Sequence, residues 1–153
     1  MAEKWSAEFY RDVHGRLPVR DWMEALGPQQ FAALSAAILH VLEPNGLSLA
    51  RTQWLKPLKQ GLYEFRIRHS EREILAAYAE ADASGPEAPP ARILLRVFVA
   101  FRGAKVILLI SGYDKGRDPS ARRQQKEIAN ARKALRAWEI ERAAAKKHRG
   151  TQR

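Results

Sequence analysis

Arginine and lysine recur where an apolar strand pattern turns them away from the core. Arg66 and Arg68 alternate with Phe65 and Ile67, and Arg96 interrupts the otherwise apolar ILLRVFVAF. Lys56 and Lys59 stand just upstream, and Tyr113, Lys115 and Arg117 follow the last apolar run. Brought together, these groups would form a basic hollow suited to a phosphodiester. Arginine forks hold non-bridging oxygens, a lysine crowded by other cations gives up its proton more easily and serves as a base, and a tyrosine or lysine supplies an acid. RNA carries its own nucleophile in the 2′-OH, so cutting it asks a protein only to assist deprotonation, stabilise phosphorane charge and protonate the leaving oxygen. Arg66 and Arg96 are the candidate phosphate clamps, and Lys56 or Lys59 is the candidate base. Taken one by one, Arg66 and Arg68 fit better the solvated side of an edge strand, paired with Glu64 or Glu73. Arg96 resists that reading, because a charge inside so apolar a strand needs a partner or a function.

Other chemistries find little support. The chain has no P-loop, GxGxxG, GxSxG or HExxH pattern, which disfavours nucleotide hydrolysis and zinc proteolysis. With no cysteine there is no thiolate nucleophile or thiolate metal site, as suits a reducing cytoplasm. The four histidines, His14, His40, His69 and His148, are scattered, and only His40 and Glu43 are spaced to share a metal. No metal and no cofactor is expected. The close acid pairs, Glu71 with Glu73 and Glu80 with Asp82, lie in or beside an irregular insertion, where glycoside chemistry is unpersuasive. RVFVAFRG looks a little like an RNA-stacking strand but lacks its Lys/Arg-Gly-aromatic opening, so Phe98 and Phe101 read as core.

The net charge is +10, and residues 115–153 hold thirteen Lys/Arg against four Asp/Glu, so nine of those charges belong to the C-terminal quarter. A block of this kind is either an electrostatic footprint for a polyanion or a solvated, solubilising tail. Arg117, Arg122, Arg123 and Lys126, around the start of the last helix, are the candidate RNA contacts. The longest apolar runs are strand-sized, so neither a membrane span nor an export signal is expected.

The elements that must position these groups follow from periodicity. With 46% hydrophobic residues, 153 residues suffice for one domain with a real core. Trp5, Ala7 and Phe9 alternate as in a strand; Val19, Trp22, Met23 and Leu26 recur at helical spacing, as do Phe31, Leu34, Ile38 and Val41. Three strands follow, the first through LYEFRIR, the second over 92–101 and the third over 105–111, the last two joined as an antiparallel hairpin. Between the first two lies SEREILAAYAEADASGPEAPPA, with a short helix in its front half and a flexible loop over 80–91. Ile128, Ala131, Leu135 and Trp138 mark one apolar edge of a final helix. Residues 1–138 thus form the domain, and 139–153 a basic tail expected to fray without a partner.

In order along the chain, WSAEFYRDVHGRLPVRDWMEAL, LKPLKQGLYEFRIR, ILLRVFVAFRGAKVILLISGYDKGRDPS and QQKEIANARKAL resemble the RelE/HigB toxin superfamily, nearest its phage-derived Gp49-like branch. The resemblance implies an α+β fold, with two N-terminal helices packed on a small antiparallel sheet and a basic C-terminal helix near the active face. It implies ribosome-dependent cleavage of mRNA in the cytoplasm, inhibition of translation, and basic strand residues at Arg66, Arg68, Arg96 and Lys115. A cognate helix-turn-helix antitoxin, the ribosome and mRNA would be its partners. Where many relatives carry His-Gly-Phe before a Lys-Lys pair, this chain reads Ser111, Gly112, Tyr113, Asp114, Lys115; Tyr113 would have to supply the acid. A non-catalytic RNA- or ribosome-binding module and a ParE-like gyrase inhibitor are the alternatives.

Overall fold

The computed structural model describes residues 4–80 and 92–151. The loop expected over 80–91 lies, apart from Glu80, outside the described residues.

Strand β1 (Ser6–Phe9) enters first, and helix α1 (Pro18–Glu24) starts on a proline whose fixed φ suits the first helical position. Ala25, Leu26 and Gly27 separate it from α2 (Pro28–Ala37), which runs on through a π-helical stretch, Ile38–Leu42, into the single turn α3 (Glu43–Asn45). The chain reverses at Gly46, whose φ of 51° is left-handed; a Cβ there would come within 2.1 Å of the Trp5 ring. Short β2 (Leu55–Pro57) and β3 (Tyr63–Ile67) follow. The front of the insertion is helix α4 (Glu71–Tyr78), started by a reciprocal capping box between Ser70 and Glu73. Strands β4 (Leu95–Arg102) and β5 (Val106–Asp114) form the expected hairpin, and α5 (Ala121–Thr151) closes the chain.

The fold is α+β, but the sheet is mixed, not antiparallel. Its order is β1-β5-β4-β3-β2, and β1 runs parallel to β5. The reason is topological: α1 and α2 carry the chain from β1 to the far edge, and the three antiparallel steps back through β3 and β4 leave β5 pointing the same way as β1.

Both sheet faces are covered. One packs Leu55, Phe65, Ile67, Val97, Val99 and Leu109 against α1, α2 and α4 through Val19, Leu34 and Ile74. The other packs Phe98, Ala100, Leu108 and Tyr113 against Ala131 and Leu135 of α5. The face read from sequence as the charged side of β3 is therefore roofed by a helix. Helix α5 also corrects the frayed tail: it continues as helix through Thr151, although residues 139–147 are exposed and touch no core.

Candidate functional site

An irregularity in β5 decides what gathers under α5. Up to Val99 the β4–β5 pairing is regular, with Ala100 opposite Leu108 and Val99 opposite Leu109; Phe98 then pairs with Ser111, leaving Ile110 as an extra residue. The bulge exchanges the faces of the residues beyond it, so Tyr113 lies opposite Arg96 under α5. Arg96 in turn lies opposite Arg66 on β3. One row across three strands thus reads Arg66, Arg96, Tyr113. The neighbouring row brings Lys56, Glu64, Phe98 and Ser111 together.

Two arginines directly opposite on one face repel, and Glu64 resolves the conflict. Its Oε1 accepts a 2.8 Å hydrogen bond from Arg66 Nε and lies 3.6 Å from Arg96 Nε, while its Oε2 accepts from Gln124 Nε2 of α5 at 2.9 Å. Glu64 is completely buried and Arg96 is 2% exposed. Burial alone would raise the Glu64 pKa, but the bonds from Gln124 and Arg66 and the charges of Arg66 and Arg96 outweigh it, holding the carboxyl below its ordinary range. Burial lowers the Arg96 pKa, an effect that Glu64 opposes and Arg66 and Arg68 reinforce. Arg96 Nη1 donates to the Leu95 carbonyl at 3.1 Å. Its Nε, the Ser111 hydroxyl and the Tyr113 hydroxyl are buried without a hydrogen-bond partner among the described residues. Tyr113 stacks on Phe98, and the Arg123 guanidinium lies 5.4 Å from its ring centre, steered by a 2.8 Å bond to Glu127. Burial, then the charge of Glu64, pushes the Tyr113 pKa up, so the phenol keeps its proton.

Lys115, half-buried, follows Tyr113 and is tied through its backbone N–H to the Leu94 carbonyl. Its pKa is lowered, first by burial and then by Arg96, with Arg66 and Arg68 adding to the effect and Glu64 opposing it. Arg66 and Arg96 both meet Glu64, and Lys115 feels the charges of all three and of Arg68. Arg68 is exposed.

The placement revises several roles read from sequence. Arg96 does belong to the cluster, but as a buried cation beside Glu64 it is no exposed clamp. Arg66, its side chain 20% exposed, is largely engaged by Glu64. Lys56 is exposed on β2 opposite Glu64. Lys59 stands instead in the β2–β3 turn, where its carbonyl accepts from Arg132. Of the three lysines, Lys56 and Lys59 are exposed and Lys115 is half-buried. Arg117, Arg122 and Lys126 are exposed at the approach to α5 and on its first turns, and Arg123 is half-buried over Tyr113. Glu64 had entered only as a possible partner of Arg66, and Gln124 and Glu127 had carried no signal. Among the described residues no three His, Cys, Asp or Glu side chains are grouped to hold a metal ion, and no helix is long and apolar enough to cross a membrane.

Neither a protein-family model, nor a curated protein, nor a solved structure matches this chain.

Proposed function

We propose that this protein is a ribosome-dependent mRNA endoribonuclease, the toxin of a type II toxin–antitoxin pair, acting in the cytoplasm and held in check by a cognate antitoxin. The observation that carries the reading is the pair Arg66 and Arg96 on one buried carboxylate, with Arg68 on the same strand as Arg66 and the half-buried Lys115 two residues beyond Tyr113, its pKa lowered first by burial and then by Arg96. In the reaction, neutral Lys115 takes the proton of the 2′-OH. The resulting alkoxide attacks the adjacent phosphorus, and the bond to the 5′-oxygen breaks. Tyr113, which keeps its proton at neutral pH, donates it to that oxygen once Arg123 moves off the ring. The products are a 2′,3′-cyclic phosphate and a 5′-OH. Arg68 and the open side of Arg66 neutralise the phosphorane oxygens, while Glu64 holds Arg66 in place from beneath.

The burial of Arg96 and Tyr113 favours a second reading, a module that binds RNA without cutting it. Sequencing RNA ends after induced expression separates the two. The nuclease reading requires new 5′-OH ends and growth arrest, both abolished by Lys115→Met; wild-type arrest without new ends would leave only the binder.

A further inference from the structure

The β2–β3 turn is strained in a way that its hairpin role does not explain. Lys59, Gln60 and Gly61 occupy the left-handed region in succession, with φ of 74°, 56° and 79°. Two of them are not glycine, and such residues persist in this region only when their surroundings hold them there. Arg132 of α5 holds it: one guanidinium nitrogen bonds the Leu58 carbonyl, and the other bonds the Lys59 carbonyl at 3.1 Å and Gln60 Oε1 at 3.4 Å. All three acceptors are neutral, so the Arg132 charge is not cancelled. Between this turn and the helix lies a groove of about 510 Å³, lined by Gln60, Arg132, Lys133, Leu135, Arg136 and Glu139. Glu139 is taken by Arg102. Lys59, Lys133 and Arg136 are exposed and have no carboxylate partner among the described residues. Three uncompensated cations, Arg132, Lys133 and Arg136, therefore line the groove, apart from those around Glu64.

We propose that this groove is a second binding site, taking the sugar-phosphate backbone of single-stranded RNA beyond the scissile linkage; the assignment of RNA rests on the function proposed above. Helix α5 sets the spacing. Gln124 touches the Glu64 cluster and Arg132 clasps the turn, and eight residues of helix at 1.5 Å each separate them by about 12 Å. That is about three to four nucleotides at the stacked rise of 3.4 Å per strand. The strained turn contributes Gln60 to one wall of the groove while Lys133 and Arg136 form the other, the arrangement of a basic channel that tracks a strand without reading bases.

The test measures binding of the full chain to a fluorescein-labelled single-stranded RNA of mixed sequence across a KCl series. It is done in the Lys115→Met background, so that cleavage does not consume the probe. Replacing Lys133 and Arg136 by alanine removes two phosphate contacts and should make the slope of log affinity against log salt shallower by about 1.4. The charge-preserving pair Lys133→Arg and Arg136→Lys should keep the original slope. An unchanged slope in the alanine variant overturns the groove, and so does an equal loss with duplex DNA of the same length. Failure of the nuclease reading shows separately, as intact mRNA after incubation of the wild-type chain with ribosomes programmed with that message.

Discussion

Glu64 and Arg96 meet at 3.6 Å with both side chains shut off from solvent, and the same carboxylate also holds Arg66 at 2.8 Å. One buried anion thus fixes two cations that would otherwise repel. Glu64→Gln should cost about 3–5 kcal/mol in urea unfolding, because it leaves Arg96 buried and uncompensated. The cost should shrink when Arg96→Met accompanies it. Because the folded pKa of Glu64 lies below its unfolded value, its contribution is complete above the ordinary carboxylate range and is lost as pH falls through the folded value. Acid titrations of stability should show that component in the wild type and lack it in Glu64→Gln.

The proposed role of Lys115 as base sets a pH dependence for cleavage. Its folded pKa is lowered, so the neutral amine appears, and the rate rises, at a pH below the ordinary lysine range of about 10.4. For stability, charged Lys115 carries a penalty below its folded pKa, and the penalty is relieved as pH climbs from there to the unfolded value. Arg68→Ala removes one repelling cation and should move the midpoint of the rate profile upward. A midpoint indifferent to Arg68 would remove Lys115 from the role of base.

Tyr113 separates packing from chemistry. Its hydroxyl is buried without a partner, so Tyr113→Phe should leave stability unchanged or slightly raised in thermal melts. Cleavage should fall by about 100-fold or more, the range for loss of a positioned proton donor. Wild-type rates in the variant would transfer the acid to another group.

Much of this arrangement was legible in the sequence, and the exceptions have physical causes. The periods of α1 and α2 emerged because each buries one face, and the hairpin strands stood out as continuous apolar runs because both of their faces are covered. The alternation in LYEFRIR put Glu64, Arg66 and Arg68 on a common side, but not the fact that α5 covers it. Tyr113 could not be placed opposite Arg96 from alternation, because the extra residue at Ile110 inverts the faces beyond it. The partnership of Gln124 with Glu64 joins residues sixty positions apart, which no local spacing reveals. The parallel entry of β1 beside β5 follows from long-range connectivity. The helical persistence of residues beyond Trp138 runs against their lack of large apolar groups, Ile140 aside, and rests on propensity: alanine, lysine, arginine and glutamate dominate the stretch.

Residues 139–153 hold five Lys/Arg, and those of the first nine are exposed along α5. Truncation after Trp138 should flatten the salt dependence of RNA binding while leaving the unfolding midpoint nearly unchanged, since no core contact is lost. An unaltered slope would make the projecting helix a spacer.

The central claim is that these cations cut RNA by turning its own 2′-OH on the neighbouring phosphate. An mRNA carrying a single 2′-deoxynucleotide at the mapped cleavage site, presented on a programmed ribosome, tests it most directly. The all-ribose message should yield a 5′-OH fragment and a 2′,3′-cyclic phosphate, and the deoxy message should survive uncut at that position. Equal cutting of both messages would contradict the account.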